Sequence, residues 1–249
     1  LITKQKTENY MTEKLPHEYT NDDYTLMQKT FYERETDIMS IENHGLHNDN
    51  PDYWNILLKP LTSGDWSDKL VLDFGCGCGR NVQNILNRFV VKEAHGCDIS
   101  SNNVHHCEKI TPTLTGGKTN FRFVTVDGQS LQPLPSNTYS LIISTIVLQH
   151  ICVYSIRKSI LADMARCLVS GGMISLQMGY GMGHPNGFDY YHNANNVQGT
   201  NSLFDTRVTD PNQIKNDLLE LGFVDFDYVI SHPWSDTHEN WIYFTAKKA

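Results

Sequence analysis

Three glycines at alternate positions, Gly75, Gly77 and Gly79, follow a short apolar run, Leu70-Val71-Leu72, that carries an aspartate at Asp73 and ends at Phe74. A turn without Cβ atoms lets a ligand approach the main chain, and a helix beginning near Gly79 aims its unpaired N–H groups at that ligand. This is the layout of a nucleotide-type site at the end of a buried strand. The pattern departs from the dinucleotide fingerprint G-x-G-x-x-G. Its third glycine comes one residue early, Arg80 takes the place of the fingerprint's last glycine or alanine, and Asp73 stands two residues ahead of the first glycine. No Lys-Ser or Lys-Thr closes the loop as a P-loop requires. A carboxylate at Asp73 sits badly beside a pyrophosphate and well beside a ligand that carries an ammonium and a sulfonium.

Other residues join such a site only if the intervening elements bring them there. Val82, Ile85, Leu86 and Phe89 recur at helical spacing and predict a helix over 79–90. A second strand then ends at Asp98, 25 residues beyond Asp73, where nucleotide-type folds place the carboxylate that grips ribose hydroxyls. The competing role for Asp98 is an N-cap of the next helix, which Ser100 can also fill. That helix, from Ser101 to about Ile110, carries His105, His106 and Cys107. Adjacent histidines on a helix point about 100° apart and cannot share an ion without a third partner. A loop over 111–119 leads to a third strand at 121–126, and 139–144 reads as a fourth whose exit runs Thr145-Ile-Val-Leu-Gln-His-Ile151. Imidazole takes a proton near neutral pH, so His150 at a strand's carboxyl end is a candidate general base; the alternative is a ring that only ties its loop.

The stretch Val71-Leu-Asp-Phe-Gly-Cys-Gly-Cys-Gly79 resembles the first motif of the class I S-adenosylmethionine (SAM) methyltransferases, a likeness that covers residues 69–180 well and the remainder in outline. The resemblance implies an α/β, Rossmann-like fold: a seven-stranded mixed sheet of order 3-2-1-4-5-7-6, the last strand antiparallel, with helices on both faces. It implies SAM as cofactor, S-adenosylhomocysteine (SAH) as product, and a cofactor site made by Asp73, Gly75, Cys76, Gly77, Gly79, Arg80, Asp98, Ile99, Asp127, Gly128 and Thr145. Asp127 matches the acidic position that bonds the adenine amino group, although Asp127-Gly128 is also ordinary turn chemistry.

Downstream, a helix over 154–168 is expected to stop at Ser170-Gly-Gly172, followed by a fifth strand at 173–178, a helix capped by Asp210, and strands at 223–230 and 241–246. Residues 179–209, rich in Gly, Asn, Tyr and His, form an acceptor-side insertion, since a long loop there is more often functional than idle. Upstream, residues 1–20 show no period and read as a flexible arm. Residues 21–62 read as a helical cap, with Leu26, Met27, Thr30, Phe31, Asp37, Ile38 and Ile41 as a stripe that lies over the cleft or packs on the sheet edge. Pro51 opens a second helix there, with Tyr53, Trp54, Leu57, Leu58 and Leu61 inward and Trp54 in the core rather than under a ligand. Residues 21–249 make a single domain on this reading.

Ligands of an open α/β sheet bind outside the carboxyl ends of its parallel strands. That gathers His150 with Tyr180, His184, Tyr190, Tyr191 and His192, and with His232, Trp234, Asp236, His238 and Glu239, into a polar, aromatic acceptor pocket. His150, His192, His232 and His238 are the candidate bases. A hydroxyl-bearing small molecule, a sugar or related metabolite, is the leading acceptor; a small-molecule N-methyltransferase and a non-catalytic SAM-fold binding protein are the alternatives. The exit of strand four lacks the Asn/Asp-Pro-Pro-Tyr/Phe signature of nucleobase or glutamine amino methylation. A metal is not expected, because no spacing among His184, Asp189, His192, His232, Asp236 and His238 matches a zinc pattern.

With 249 residues and a formal net charge of −8, the chain has room for a substantial core and no basic run with which to grip nucleic acid or an anionic membrane. Its six cysteines form no C-x-x-C pair and suit reduced thiols in the cytoplasm. No apolar run approaches the roughly 18 residues of a transmembrane helix.

Overall fold

The computed structural model describes residues 19–43, 51–182, 188–194, 205–232 and 238–249. Their elements are, in order, α1 (Asn21–Asn43), β1 (Leu70–Phe74), α2 (Arg80–Arg88), β2 (Glu93–Asp98), α3 (Ser101–Leu114), β3 (Phe121–Thr125), β4 (Tyr139–Ser144), α4 (Tyr154–Cys167), β5 (Leu168–Tyr180), β6 (Arg207–Val208), α5 (Pro211–Glu220), β7 (Phe223–Ser231) and β8 (Asn240–Lys248). The strands form one sheet of order β3-β2-β1-β4-β5-β8-β7, with the two-residue β6 beside the end of β5. β8 runs antiparallel to both β5 and β7, and the other pairs are parallel. Apart from β6, this is the arrangement the resemblance implied, the expected strands six and seven being β7 and β8.

Alternation along the strands divides the core between the two faces. Leu72, Ile142, Ile174, Leu176, Ile242 and Phe244 pack against Ile156, Ile160 and Met164 of α4 and Ile214 and Leu218 of α5. Val71, Leu141, Ile143, Trp241 and Tyr243 pack against Val82, Ile85 and Leu86 of α2 and against Tyr53, Leu57 and Leu61. Strands buried on both faces read as continuous apolar runs, which is why β1 and β4 stand out in the sequence.

Several local expectations are corrected. The second N-terminal helix is a π turn, Tyr53–Leu57, followed by a 3-10 turn, Lys59–Thr62. Pro60 offers no N–H to continue an α-helix. α3 runs through Pro112 to Leu114 and is closed by Gly116 and Gly117 at positive φ, with Gly117 N donating to Pro112 O. No glycine caps α4: Leu168 is already extended, and Ser170-Gly-Gly172 lies inside β5. In α1 the buried face is Tyr24, Thr25 and Gln28, while Leu26 is 65% exposed. The helix thus covers polar ligand-facing surface as well as core. His184, Trp234 and Asp236 lie outside the described residues, as does most of the arm at 1–20.

Candidate active site

The strand order reverses between β1 and β4, and a cavity opens above that point, where an open sheet offers its crevice. β1 ends beneath it at Phe74, which lines the cavity, and Asp73, one residue earlier, is fully buried outside the lining. Asp73 Oδ1 accepts a hydrogen bond from Asn81 Nδ2 at 2.9 Å; Oδ2 has no donor among the described residues. Burial pushes this carboxyl up to about 7, against the opposing pull of the Asn81 amide and the Arg80 charge.

The glycine turn follows. Gly75, Gly77 and Gly79 hold φ of 71°, 50° and 85°. A Cβ on Gly75 would lie 2.4 Å from Val147 of the β4 exit, whereas one on Gly77 would meet nothing within 4 Å. Gly75 therefore lets two loops touch, and Gly77 faces open cavity. Its N–H donates to Asp98 Oδ2 at 2.8 Å. Asp98 Oδ1 accepts from Ser100 N at 2.9 Å and Asn103 Nδ2 at 3.2 Å. Burial raises the Asp98 pKa against these bonds. Ser100 is the N-cap of α3, its hydroxyl accepting from Asn103 N, so Asp98 is left to line the cavity. Oδ2 keeps one lone pair for a ligand hydroxyl. Beside it, Asn103 Oδ1 is buried with no donor among the described residues, and Asn103 lines the cavity too.

Cys76, Arg80, Ile99, Gly128 and Thr145 line the cavity as well. Asp127 does not. Its carboxylate is exposed and closes its own turn, accepting from Gln129 N, Ser130 N and Ser130 Oγ at 2.7–2.8 Å. Of the two roles considered for Asp127, the turn is the one its contacts serve. The β4 exit is strained: Ile146 has φ of 59°, costly for a β-branched residue, and is held there by its N–H donating to Gln177 Oε1 at 2.7 Å.

α1 roofs the cavity with Tyr24, Thr25, Gln28 and Tyr32. Glu33 latches it to the first turn of α3, accepting from Ser101 N at 2.8 Å, Asn102 N at 3.0 Å and the hydroxyls of Ser100 and Ser101. Although desolvation works against it, these donors lower the Glu33 pKa. Tyr24 donates its hydroxyl to His150 O and accepts from Cys152 N, both at 2.8 Å.

The candidate bases separate. His150, on a 3-10 turn after β4, lines the cavity with Nδ1 2.5 Å from Asp205 Oδ1. His238 is buried behind it, its Nε2 2.8 Å from the other oxygen of Asp205. His192 stacks on Phe188, ring centroids 3.9 Å apart, outside the cavity lining. His232 is exposed beyond the end of β7. Tyr190 is buried and donates to Asp217 Oδ2 at 2.7 Å, a packing role. Asn103 and Asp205 are the site residues that the motif reading passed over; of the α1 roof it named the helix but not Tyr24, Thr25, Gln28 and Tyr32. Arg80 is the one Lys or Arg side chain in the lining of the described cavity.

Residues 71–172, which contain β1 from Val71 on, the glycine turn and strands β2 to β4, match a family model described as a methyltransferase domain. By that match residues 71–172 carry a methyltransferase domain, and solved methyltransferases share the fold of the chain. Phosphoethanolamine N-methyltransferase 2 of Haemonchus contortus, solved with S-adenosyl-L-methionine, is 16% identical over 89% of this chain and superposes with a TM-score of 0.65; the chain spans 60% of that protein. Magnesium protoporphyrin IX methyltransferase of Synechocystis, solved with bound SAM, is 14% identical over 91% of this chain and 98% of that one, with a TM-score of 0.64. The CurJ carbon methyltransferase is 17% identical over 83% and 57%, with a TM-score of 0.59. No curated protein sequence matches the chain. Among the described residues no helix is long and apolar enough to cross a membrane, and no group of three or more His, Cys, Asp or Glu side chains could hold a metal ion.

Proposed function

We propose that the protein transfers the methyl group of SAM to a hydroxyl of a neutral, polar small molecule, with a sugar or related polyol as the fitting class. The cavity suits the cofactor on its own chemistry. Just behind its lining, Asp73 Oδ2 is a buried acceptor without a donor among the described residues, as an ammonium requires, and in the lining Asp98 Oδ2 with Asn103 Oδ1 can take two ribose hydroxyls. Gly77 leaves the room a main-chain contact needs. When bound, SAM supplies an electrophilic methyl and leaves as SAH.

The observation that carries the acceptor reading is His150. It lines the cavity with Nδ1 on Asp205, which leaves Nε2 to take the proton of a hydroxyl nucleophile. Thr145, Ile146 and the α1 roof exclude water and align the acceptor, the larger part of the work in an in-line displacement. The stretches 179–206 and 231–240 contain no lysine or arginine. A phosphorylated or carboxylated acceptor finds no bidentate partner in them.

Incubation with methyl-labelled SAM and separate pools of polyols, small amines, protein and nucleic acid tests the reading. Label in the hydroxyl compounds is expected. Label confined to amines or macromolecules overturns it.

A further inference from the structure

Three distant stretches of chain meet on one buried carboxylate. His150 follows β4, Asp205 precedes β6 by two residues, and His238 precedes β8 by two. Asp205 is 3% exposed and lies 2.5 Å from His150 Nδ1 and 2.8 Å from His238 Nε2. The backbone around it is fixed on both sides: Phe188 N donates to Asp205 O, and Thr206 N donates to Gln149 O, the neighbour of His150, both at 2.7 Å. His238 is seated as closely. A Cβ on Gly179 would fall 2.1 Å from its Nδ1, so its ring fills the space that a side chain of β5 would take.

Tyr32 of α1 and Cys152 also feel the charge of Asp205. Burial, with that charge adding to it, raises both groups, so they stay neutral. Although burial opposes it, hydrogen bonds from His150 and His238 hold Asp205 down at about 2. An ionised carboxylate only accepts, so each ring must present an N–H to it.

We propose that Asp205 and His238 are positioning residues: Asp205 fixes His150 in the tautomer with its proton on Nδ1 and Nε2 open to the cavity, and His238 anchors the carboxylate that does so. The catalytic consequence rests on the reading of His150 as proton acceptor; the tautomer does not. An asparagine at 205 presents an N–H₂ donor where one of the two rings now finds an oxygen, so it cannot accept from both rings where they stand.

Ring nitrogen-15 spectra of the SAH complex test this in the wild type and in Asp205→Asn, His238→Gln and His238→Phe. The wild type is expected to carry the His150 proton on Nδ1. Asp205→Asn and His238→Phe should mix the tautomers, whereas His238→Gln, which keeps a donor, should restore the wild-type spectrum. A wild-type His150 proton on Nε2 overturns the proposal, whether or not any variant folds. So does an unchanged spectrum in Asp205→Asn. SAH binding within about twofold of wild type marks the variants as folded, and on an acceptor found by labelling Asp205→Asn should lose about 10²-fold or more in kcat at constant KM for SAM. His150→Gln separates the two readings: wild-type turnover in that variant removes His150 as the base and leaves the tautomer assignment standing.

Discussion

Asn81 holds one oxygen of Asp73 at 2.9 Å and the other has no donor among the described residues, so this acid near the end of β1 is both buried and half satisfied. Below about pH 7 it is largely protonated in the ligand-free protein. A ligand ammonium at Oδ2 favours the charged form. At pH 6, SAM binding should therefore release close to one proton, read as a dependence of the binding heat on the buffer's ionisation enthalpy. Asp73→Asn should abolish that dependence.

The same carboxyl shapes the pH dependence of stability. Its folded value of about 7 lies above its ordinary value of 3.8, so the folded state holds the extra proton between them. Stability of the ligand-free protein should fall as pH rises from about 4 to 7 on this account. Asp205 has the opposite sign: depressed to about 2, it contributes stability above 3.8 that is lost as pH falls toward 2. Urea titrations across pH 2–8 should show Asp73→Asn flattening the upper slope and Asp205→Asn flattening the lower one.

Asn103 should contribute to affinity more than to folding. Its Nδ2 steadies Asp98, and its Oδ1 waits for a donor. Asn103→Ala is expected to weaken SAH binding about three- to tenfold, the worth of one hydrogen bond. Calorimetry with SAH and a thermal melt of the ligand-free protein distinguish this from a loss of fold.

Glu33 fastens the roof. Glu33→Ala removes the acceptor for two backbone N–H groups and two hydroxyls of the α3 first turn. The expected cost is about 1 kcal/mol, as for loss of an N-cap, felt locally in α1. Hydrogen exchange should speed up over α1, and SAH should dissociate about fivefold faster by stopped flow.

The legible parts of the site were those whose demands are local. A strand end, a turn without Cβ atoms and a carboxylate at a set distance all leave marks within thirty residues, and Gly77 and Asp98 meet at the cavity lining. The roof was half legible. Tyr24, Gln28 and Tyr32 recur every four residues, the mark of one helix face, but the apolar stripe through Leu26 drew attention to the wrong side. Asp205 had no mark at all. Its role comes from two histidines, one 55 residues before it and one 33 after, and no periodicity records a tertiary meeting of that kind. Asp127 misled in the other direction, because a turn and an adenine contact call for the same residue type.

The placement of β8 has a consequence for how the protein matures. β7 is joined to the rest of the sheet through β8, which lies between it and β5 although it follows both in the chain. During synthesis the cofactor half, β1 through β4 with its glycine turn, can assemble while β7 and α5 still lack their place. His238 arrives with the strand that closes this gap. Cofactor affinity and methyl transfer should accordingly be acquired at separate moments on the ribosome, the second only after the final strand has emerged.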